Sequence, residues 1–198
     1  MSIEPLAAAH APRIAEIHAE ALAGDFLPSL GVRFLIALYR AILDLRLGFG
    51  FVAVDAGQVV GFVLASADTS ALFRRALLRR GPALAWGLLP ALLRRPALIG
   101  NLLQTFAYPQ REGNVDAPAE LVVIAVDAAR RNSGVGAALC RALDEDFARR
   151  GVARYKVTVN ADNAGANRFY RRLGFESAYS FTLYGRQWNL YTRSLLSR

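Results

Sequence analysis

Apolar residues recur at helical spacing in some stretches of the chain and in alternation in others. Ile14, Ile17 and Ala21 share one face of a helix predicted over residues 8–22, which follows a short predicted strand at residues 2–6. A second helix is predicted over residues 30–45, with its buried stripe at Phe34, Leu35, Leu38, Ile42 and Leu45. Residues 51–54 and 59–65 are apolar, β-branched runs around a glycine turn, which predicts a hairpin.

The second half of the chain predicts the order β-α-β-α-β-β. An apolar strand at residues 121–126 is followed by a helix whose apolar stripe is Val135, Leu139, Ala142, Leu143 and Phe147. A strand then alternates over residues 155–160, and a helix covers residues 163–173. Residues 175–183 and 187–194 predict a closing hairpin.

Residues 69–109 differ from the rest in composition. They contain no acidic residue, and their arginines are Arg74, Arg75, Arg79, Arg80, Arg94 and Arg95. We interpret this segment as an insertion of two or three helices. It could be a packed helical subdomain, a lid whose arginines favour an anionic acceptor, or a helix lying on a membrane surface. Its uncharged run, residues 81–93, is too short to span a bilayer.

Length and composition restrict the class of protein. With 198 residues, we expect a single domain over residues 1–198 that includes the insertion. The single Cys140 excludes a disulfide framework, and we expect it to be a buried structural thiol. One cysteine and two histidines, His10 and His18, argue against a zinc site. No G-x-S-x-G elbow supports hydrolase chemistry.

The net charge of +8 raises the question of nucleic-acid binding. All basic residues except Lys156 are arginines, which is typical of a genomic composition bias, and no nucleic-acid reader motif is present. Steep loss of binding with salt would support that hypothesis, but we expect no nucleic-acid partner. The first residues, with Glu4 and no apolar run, do not read as a signal peptide, so a cytoplasmic location is expected.

The loop after the strand at residues 121–126 predicts an anion site. The chain turns there and two glycines, Gly134 and Gly136, open a helix. The first N–H groups of a helix have no internal partner, the helix dipole favours negative charge, and glycines let an anion approach closely. Arg130 and Arg131 add positive charge. The loop is not a P-loop, because it has no Gly-Lys-Ser/Thr. It is not a dinucleotide fingerprint either, because Leu139 stands where the third glycine would be.

Two motifs resemble those of the GNAT superfamily of N-acetyltransferases. Arg131-x-x-Gly134-x-Gly136 matches the R/Q-x-x-G-x-G/A loop, and residues 163–175 match the pattern N-x-x-A-x-x-F/L-Y-x-x-x-G-F. The resemblance is most specific over residues 118–176, and the flanking elements extend it to the whole chain. The long segment at residues 69–109 departs from the family, which connects these strands briefly.

The resemblance implies a fold and a cofactor. It implies an α/β fold with a mixed, mostly antiparallel central sheet flanked by helices, here with a helical insertion. It also implies acetyl-CoA as cofactor, with the pyrophosphate on the loop. The residues implied to contact acetyl-CoA are Ile124, Val126, Arg131, Asn132, Gly134, Val135, Gly136, Ala137, Asn160, Asn163, Asn167 and Tyr170. For the asparagines, turn and cap chemistry is an equal alternative.

The implied activity is transfer of an acetyl group from acetyl-CoA to a primary amine, by direct attack through a tetrahedral intermediate. Tyr170 matches the family tyrosine near the cofactor sulfur and is the candidate general acid, with core packing as the alternative. Glu120 resembles the glutamate that acts as general base in some members, directly or through water; Asp25 and Asp127 stay open as bases. A backbone N–H near Val126 is a candidate for binding the thioester oxygen.

The acceptor stays open between a small amine, an amino sugar, an antibiotic and a protein N-terminus or lysine. We expect the loop at residues 24–30, the insertion and the final hairpin to shape its pocket. The alternative to an enzyme is a catalytically weak acetyl-CoA-binding sensor or interaction module. The family is often dimeric, so a homodimer is one possible assembly.

Overall fold

A computed structural model of the protein describes residues 1–94 and 117–195. The strands are β1 (Ser2–Pro5), β2 (Phe49–Asp55), β3 (Gln58–Ser66), β4 (Glu120–Val126), β5 (Arg154–Asn160), β6 (Glu176–Leu183) and β7 (Arg186–Ser194). The α-helices are α1 (Ala11–Ala21), α2 (Phe26–Ser29), α3 (Val32–Asp44), α4 (Thr69–Arg94), α5 (Val135–Arg149) and α6 (Ala164–Arg172). The predicted order of elements is confirmed, and the short helix α2 is an addition to it.

The first helix starts later than its apolar pattern indicated. Residues 8–10 form a turn of 3-10 helix, and α1 begins at Ala11. Pro12 lies in the first turn of α1, where its missing N–H costs no intrahelical hydrogen bond. The proline therefore marks the start of the α-helix, three residues beyond the predicted position.

A seven-stranded sheet runs in the order β1-β2-β3-β4-β5-β7-β6. Its pairs are antiparallel except for β4 and β5, which are parallel. This is the mixed, mostly antiparallel sheet that the resemblance implied. β4 and β5 share one registered pair, Glu120 with Lys156, whereas β5 pairs with β7 along its whole length. The two parallel strands therefore separate after their first residues and leave a gap in the middle of the sheet.

A β-bulge in β4 accompanies this separation. Leu64 of β3 faces Val123 of β4, but the next residue of β3, Ala65, faces Leu121. Val122 is thus the extra residue on β4. A bulge bends the strand that carries it and increases its twist. Past the bulge, β4 continues to pair with β3 as far as Val126, whereas its one registered pair with β5 is at Glu120.

The sheet separates two hydrophobic clusters, because successive side chains of a strand point to opposite faces. On one face, Phe62 and Leu64 pack with α1, α3 and α4. On the other, Val63 and Ala65 pack with the apolar stripe of α5, and Phe147 of that helix stacks on Tyr155 of β5. Both faces are covered, so the sheet is fixed between helices and the gap at β4 and β5 becomes a defined cavity.

The insertion is helical in its described part. α4 consists of two helical segments that meet at a kink at Arg80. It packs against α3, with Leu72, Leu84 and Leu88 buried and Gly87 so close that a Cβ there would lie 3.3 Å from the Cα of Phe34. Residues 95–109 of the predicted insertion lie outside the described residues. Among the described helices, none has the length and apolar character needed to cross a membrane.

Candidate active site

A cavity of about 850 Å³ opens where β4 and β5 separate. One end is formed by β4, the loop that follows it, α5 and α6, and the other by α1, α2, α3 and the turn between β6 and β7. Its described lining includes Arg131, Asn132, Gly134, Gly136, Ala137, Asn160, Asn163 and Tyr170 at the first end, and His18, Asp25, Phe26, Tyr39, Tyr184 and Trp188 at the second. The cavity therefore joins the predicted phosphate loop to a separate chamber.

The loop before α5 has the backbone of an anion cradle. Gly134 is the N-cap of α5 in the left-handed conformation, with φ of 85° and no atom within 4 Å of an added Cβ. The first hydrogen bond of the helix runs from Ala138 N to the Gly134 carbonyl at 3.0 Å. The N–H groups that precede it have no partner within the helix and point out of its N-terminus. Gly134, Gly136 and Ala137 line the cavity, whereas Val135 turns its side chain into the core.

Two arginines at this loop have different surroundings. Arg130 forms an ion pair with Asp55, at 2.6 Å between Nη2 and Oδ2. Arg131 is exposed, and its Nε lies 3.4 Å from the Val126 carbonyl. Arg131 thus has fewer competing partners than Arg130, and the contact with acetyl-CoA that the resemblance implied for it stays a prediction. Asp127, one of the open bases, pairs with Arg13 at 2.6 Å and accepts from Ala129 N at 3.1 Å, and it does not line the cavity.

The predicted strand contacts, Ile124 and Val126, line the cavity, and so do Asn160 and Asn163. Both asparagines also serve the local backbone. Asn163 is the N-cap of α6, where its Oδ1 accepts from Ala166 N at 3.0 Å. The Oδ1 of Asn160 accepts from Asp162 N at 3.0 Å. Both residues line the cavity, and their side-chain oxygens hold the turn from β5 into α6.

Asn167 lies outside the cavity lining. Its Nδ2 donates to the carbonyls of Asn160 and Asn163, at 2.9 and 2.7 Å. Its Oδ1 accepts from Asn189 Nδ2 and from the Tyr191 hydroxyl, both at 2.9 Å. The buried amide thereby joins β5, α6 and β7. The resemblance implied that Asn167 contacts the cofactor. This contact stays a prediction, and Asn167 is not among the described residues that line the cavity.

Tyr170 lies on α6 with its ring in the core and its side chain on the cavity wall. Phe169 and Phe175 contact the ring at 5.2 and 5.1 Å between centroids, so its orientation is fixed. Burial, and next the nearby Cys140, raise the pKa of Tyr170 well above its usual value. The hydroxyl therefore keeps its proton and can donate a hydrogen bond into the cavity over the whole physiological pH range.

Glu120 and Cys140 do not line the cavity. Glu120 is buried at the start of β4, at the closed end of the gap, one residue before Leu121, which is part of the lining. Cys140 is buried on α5, and this burial raises the pKa of its thiol to about 12. As expected, Cys140 is a packed thiol, and no thiolate nucleophile forms there.

The chamber opposite the loop contains a buried pair that the sequence had not assigned. His18 Nδ1 and the Tyr39 hydroxyl are 2.5 Å apart, and both side chains line the cavity. Burial lowers the pKa of His18 to about 4, so the imidazole is neutral. His18 lies four residues after Ile14 on the buried face of α1, and a polar residue on that apolar stripe is the sequence signal that could have identified it.

Asp25 and three aromatic residues complete this chamber. Phe26 contacts Tyr184 at 5.0 Å between ring centroids, and Trp188 lies beyond Tyr184 at 6.5 Å. These residues come from the loop at residues 24–30 and from the final hairpin, which were expected to shape the acceptor pocket. No residue of α4 is among the described lining, so the contribution of the insertion to the acceptor pocket stays a prediction. Within the described residues there is no cluster of metal-ligating side chains.

Comparison with known proteins agrees with this geometry. Residues 104–175 match the model of the Acetyltransferase (GNAT) family. No curated protein matches the chain's sequence. The family model spans the phosphate loop, β4, α5, β5 and α6, which are the elements at the first end of the cavity. Acetyl-CoA is the cofactor of this family.

Solved structures share the fold over nearly the whole chain. The yncA protein of Salmonella typhimurium, determined with its cofactor acetyl-CoA, is 16% identical with a TM-score of 0.63, covering 100% of this chain and 95% of that one. A ribosomal-protein-alanine N-acetyltransferase from Brucella melitensis is 18% identical with a TM-score of 0.62, and the match covers 98% of this chain and 99% of that one. An N-acetyltransferase from Staphylococcus aureus Mu50 is 15% identical with a TM-score of 0.62, and the match covers 98% of this chain and 98% of that one. The family model over residues 104–175 and the fold shared with these structures make this chain similar to the GNAT acetyltransferases.

Proposed function

We propose that the protein is an N-acetyltransferase that moves an acetyl group from acetyl-CoA to a primary amine by direct attack. The observation that carries this proposal is the separation of β4 from β5 after a single registered pair. The resulting cavity connects an anion cradle at the N-terminus of α5 with a chamber of different chemistry. Two substrates can therefore enter from opposite ends and meet in the gap.

The loop and α5 would hold the pyrophosphate of acetyl-CoA. The N–H groups of the first turn of α5 supply donors, and the left-handed Gly134 lets them converge. Arg131 adds a positive charge beside them. β4 supplies main-chain groups along Ile124 to Val126, on the side that β5 has left unpaired. These features fit a cofactor with a charged end and an extended, amide-containing arm.

Tyr170 is our candidate for the group that stabilises the leaving sulfur. Acetyl-CoA supplies the activated acetyl group, and its departing thiolate needs a proton or a hydrogen bond. The Tyr170 hydroxyl keeps its proton at neutral pH and lies on the cavity wall, fixed by Phe169 and Phe175. N–H groups of β4 near the bulge and Val126 are candidates for binding the oxyanion of the tetrahedral intermediate.

Glu120 remains our candidate general base, acting through an intervening group. It is buried at the start of β4, next to Leu121, which lines the cavity. A water molecule between the acceptor amine and this carboxylate would provide the path. Asp127 is not proposed as the base, because Arg13 and the backbone of the 3-10 turn already occupy its oxygens.

Release of free CoA from acetyl-CoA in the presence of a panel of primary amines tests this proposal. We expect amine-dependent thiol release with formation of the N-acetylated amine, identified by its mass increase. Binding of acetyl-CoA without release of thiol with any amine would instead support a sensor or interaction module. Failure to bind acetyl-CoA would contradict both functions.

A further inference from the structure

The chamber formed by α1, α2, α3 and the turn between β6 and β7 has a definite chemical character. We propose that its acceptor is a small organic cation, a primary amine attached to an apolar or aromatic group. Its ammonium would first bind at Asp25, with its apolar part against Phe26, Tyr184 and Trp188, and the neutral amine that attacks the thioester would form in the gap when the proton passes through water to Glu120. This inference rests on the proposed function and names the substrate class of the same site.

Charge within the cavity supports a cation at this end. Among the described residues that line the cavity, Asp25 is the only carboxylate. The lining arginines, Arg130, Arg131 and Arg172, belong to the phosphate loop and α6. Their positions suit the anionic end of the cofactor. A positively charged amine would therefore find its complement at Asp25, whereas a carboxylate or phosphate on the acceptor would face that residue with like charge.

The carboxyl group of Asp25 is available to a ligand. It lies at the N-terminus of α2 but accepts no capping hydrogen bond from that helix. Burial raises its pKa and the positive charge of Arg186 lowers it. Arg186 itself is exposed, does not line the cavity, and donates Nη1 to the Gly24 carbonyl at 3.1 Å. Asp25 thus presents a partly desolvated carboxylate, which binds an ammonium group more strongly than one in open water.

The wall beside Asp25 is aromatic. Phe26 follows Asp25 in the chain, and its ring contacts Tyr184. The indole of Trp188 is oriented by its Nε1, which donates to the Leu183 carbonyl at 3.0 Å. Aromatic faces attract cations and cover apolar groups with little loss of side-chain entropy. The combination of one carboxylate and several rings is suited to an ammonium that carries an apolar substituent.

Contacts between the two walls limit the size of the acceptor. The hydrogen bond from Arg186 to Gly24 and the contact of Phe26 with Tyr184 join the loop before α2 to the turn between β6 and β7. These contacts bridge the two walls on that side of the chamber. A polypeptide acceptor would need a path past them for the chain that continues beyond its N-terminus or its lysine, whereas a small molecule needs none.

Steady-state kinetics with four matched amines tests the inference. 2-Phenylethylamine carries an ammonium and a ring, L-phenylalanine adds a carboxylate, ethylamine lacks the ring, and L-glutamate is anionic. We expect 2-phenylethylamine to have the highest kcat/KM, about tenfold or more above the others. Asp25→Asn should raise its KM about tenfold or more, because a charge-assisted contact is lost, and leave the KM for acetyl-CoA unchanged.

Glu145→Gln is the matched control, since Glu145 is exposed on α5 and outside the cavity. An unchanged amine KM in Asp25→Asn, or a preference for L-glutamate or for a peptide N-terminus, would overturn the inference and leave the acetyltransferase function intact. If acetyl-CoA binds but no amine is acetylated, calorimetric titration of 2-phenylethylamine into the complex with CoA tests the acceptor class directly. Absence of 2-phenylethylamine binding at about 10 mM, well above usual KM values, would overturn the inference. Failure to bind acetyl-CoA would count against the proposed function itself.

Discussion

Tyr170 packs its ring in the core and also lines the cavity. Packing against Phe169 and Phe175 sets the direction of the hydroxyl, and burial keeps it protonated. A fixed neutral donor can stabilise a developing thiolate without any reorganisation. Removal of the hydroxyl alone should therefore separate chemistry from packing.

For Tyr170→Phe we expect kcat to fall about 100-fold, the usual contribution of one general acid, while the Kd for acetyl-CoA changes less than about twofold. Stopped-assay kinetics and calorimetric titration measure the two quantities. Tyr155→Phe is the control, because Tyr155 is equally buried but its hydroxyl donates to Asp144 at 2.7 Å. That variant should lose stability and keep its kcat. Equal losses of binding and turnover in Tyr170→Phe, or none, would mean that the tyrosine only packs.

Helix α5 and the loop before it carry the proposed anion site in their backbone. The geometry depends on Gly134 at φ of 85°, a conformation that costs an L-residue about 1–2 kcal/mol. Gly57, in the turn between β2 and β3, has φ of 77° and the same open surroundings, but it does not line the cavity. The two glycines form a matched pair, equal in strain and different in location.

Gly134→Ala and Gly57→Ala should each lower the free energy of unfolding by about 1–2 kcal/mol, because both force alanine into the left-handed region. Only Gly134→Ala should weaken acetyl-CoA binding, by about tenfold or more, since the strained loop must shift the N–H groups of α5. Urea unfolding and calorimetry give the two numbers for each variant. Equal affinities in both variants would remove the loop from the binding site.

At the scale of elements, local sequence was enough for the strands, for α1, α3, α5 and α6, and for the glycine turn that opens α5. The apolar stripe of α5 and the alternation in β5 are properties of short segments. The separation of β4 from β5 could not be predicted in this way, because the bulge at Val122 exists only in its register with β3. Likewise, the sequence left the role of Asn167 open between cofactor contact and turn chemistry, because its partners lie on β5, on the turn before α6 and on β7.

The whole molecule brings together residues that are far apart in the chain. The chamber opposite the phosphate loop takes its walls from α1, α2, α3 and the final hairpin, so its chemistry follows from the tertiary fold. His18 and Tyr39 are 21 residues apart and meet on the sheet face beside Phe62. Their burial holds the imidazole neutral, which links the stability of the whole fold to pH.

The pKa of His18 falls from 6.5 to about 4 on folding. Between these values the unfolded chain binds a proton that the native protein does not, so the free energy of unfolding falls as pH drops from 6.5 towards 4. This group alone should cost about 2 kcal/mol between pH 7 and pH 5. Urea unfolding at both values should show the loss, and His18→Gln should reduce it while His10→Gln does not. An equal loss in His18→Gln would assign the pH dependence to other groups.

The most direct test of the central claim is thermal unfolding of the protein with acetyl-CoA, with ATP and NAD as controls. A ligand at about 100 times its Kd stabilises the native state by about 2.7 kcal/mol. We predict a rise in Tm with acetyl-CoA that exceeds the shift with either nucleotide, because the gap between β4 and β5 accommodates the arm that ATP and NAD lack. No shift with acetyl-CoA, or an equal shift with all three compounds, would contradict the acetyltransferase account.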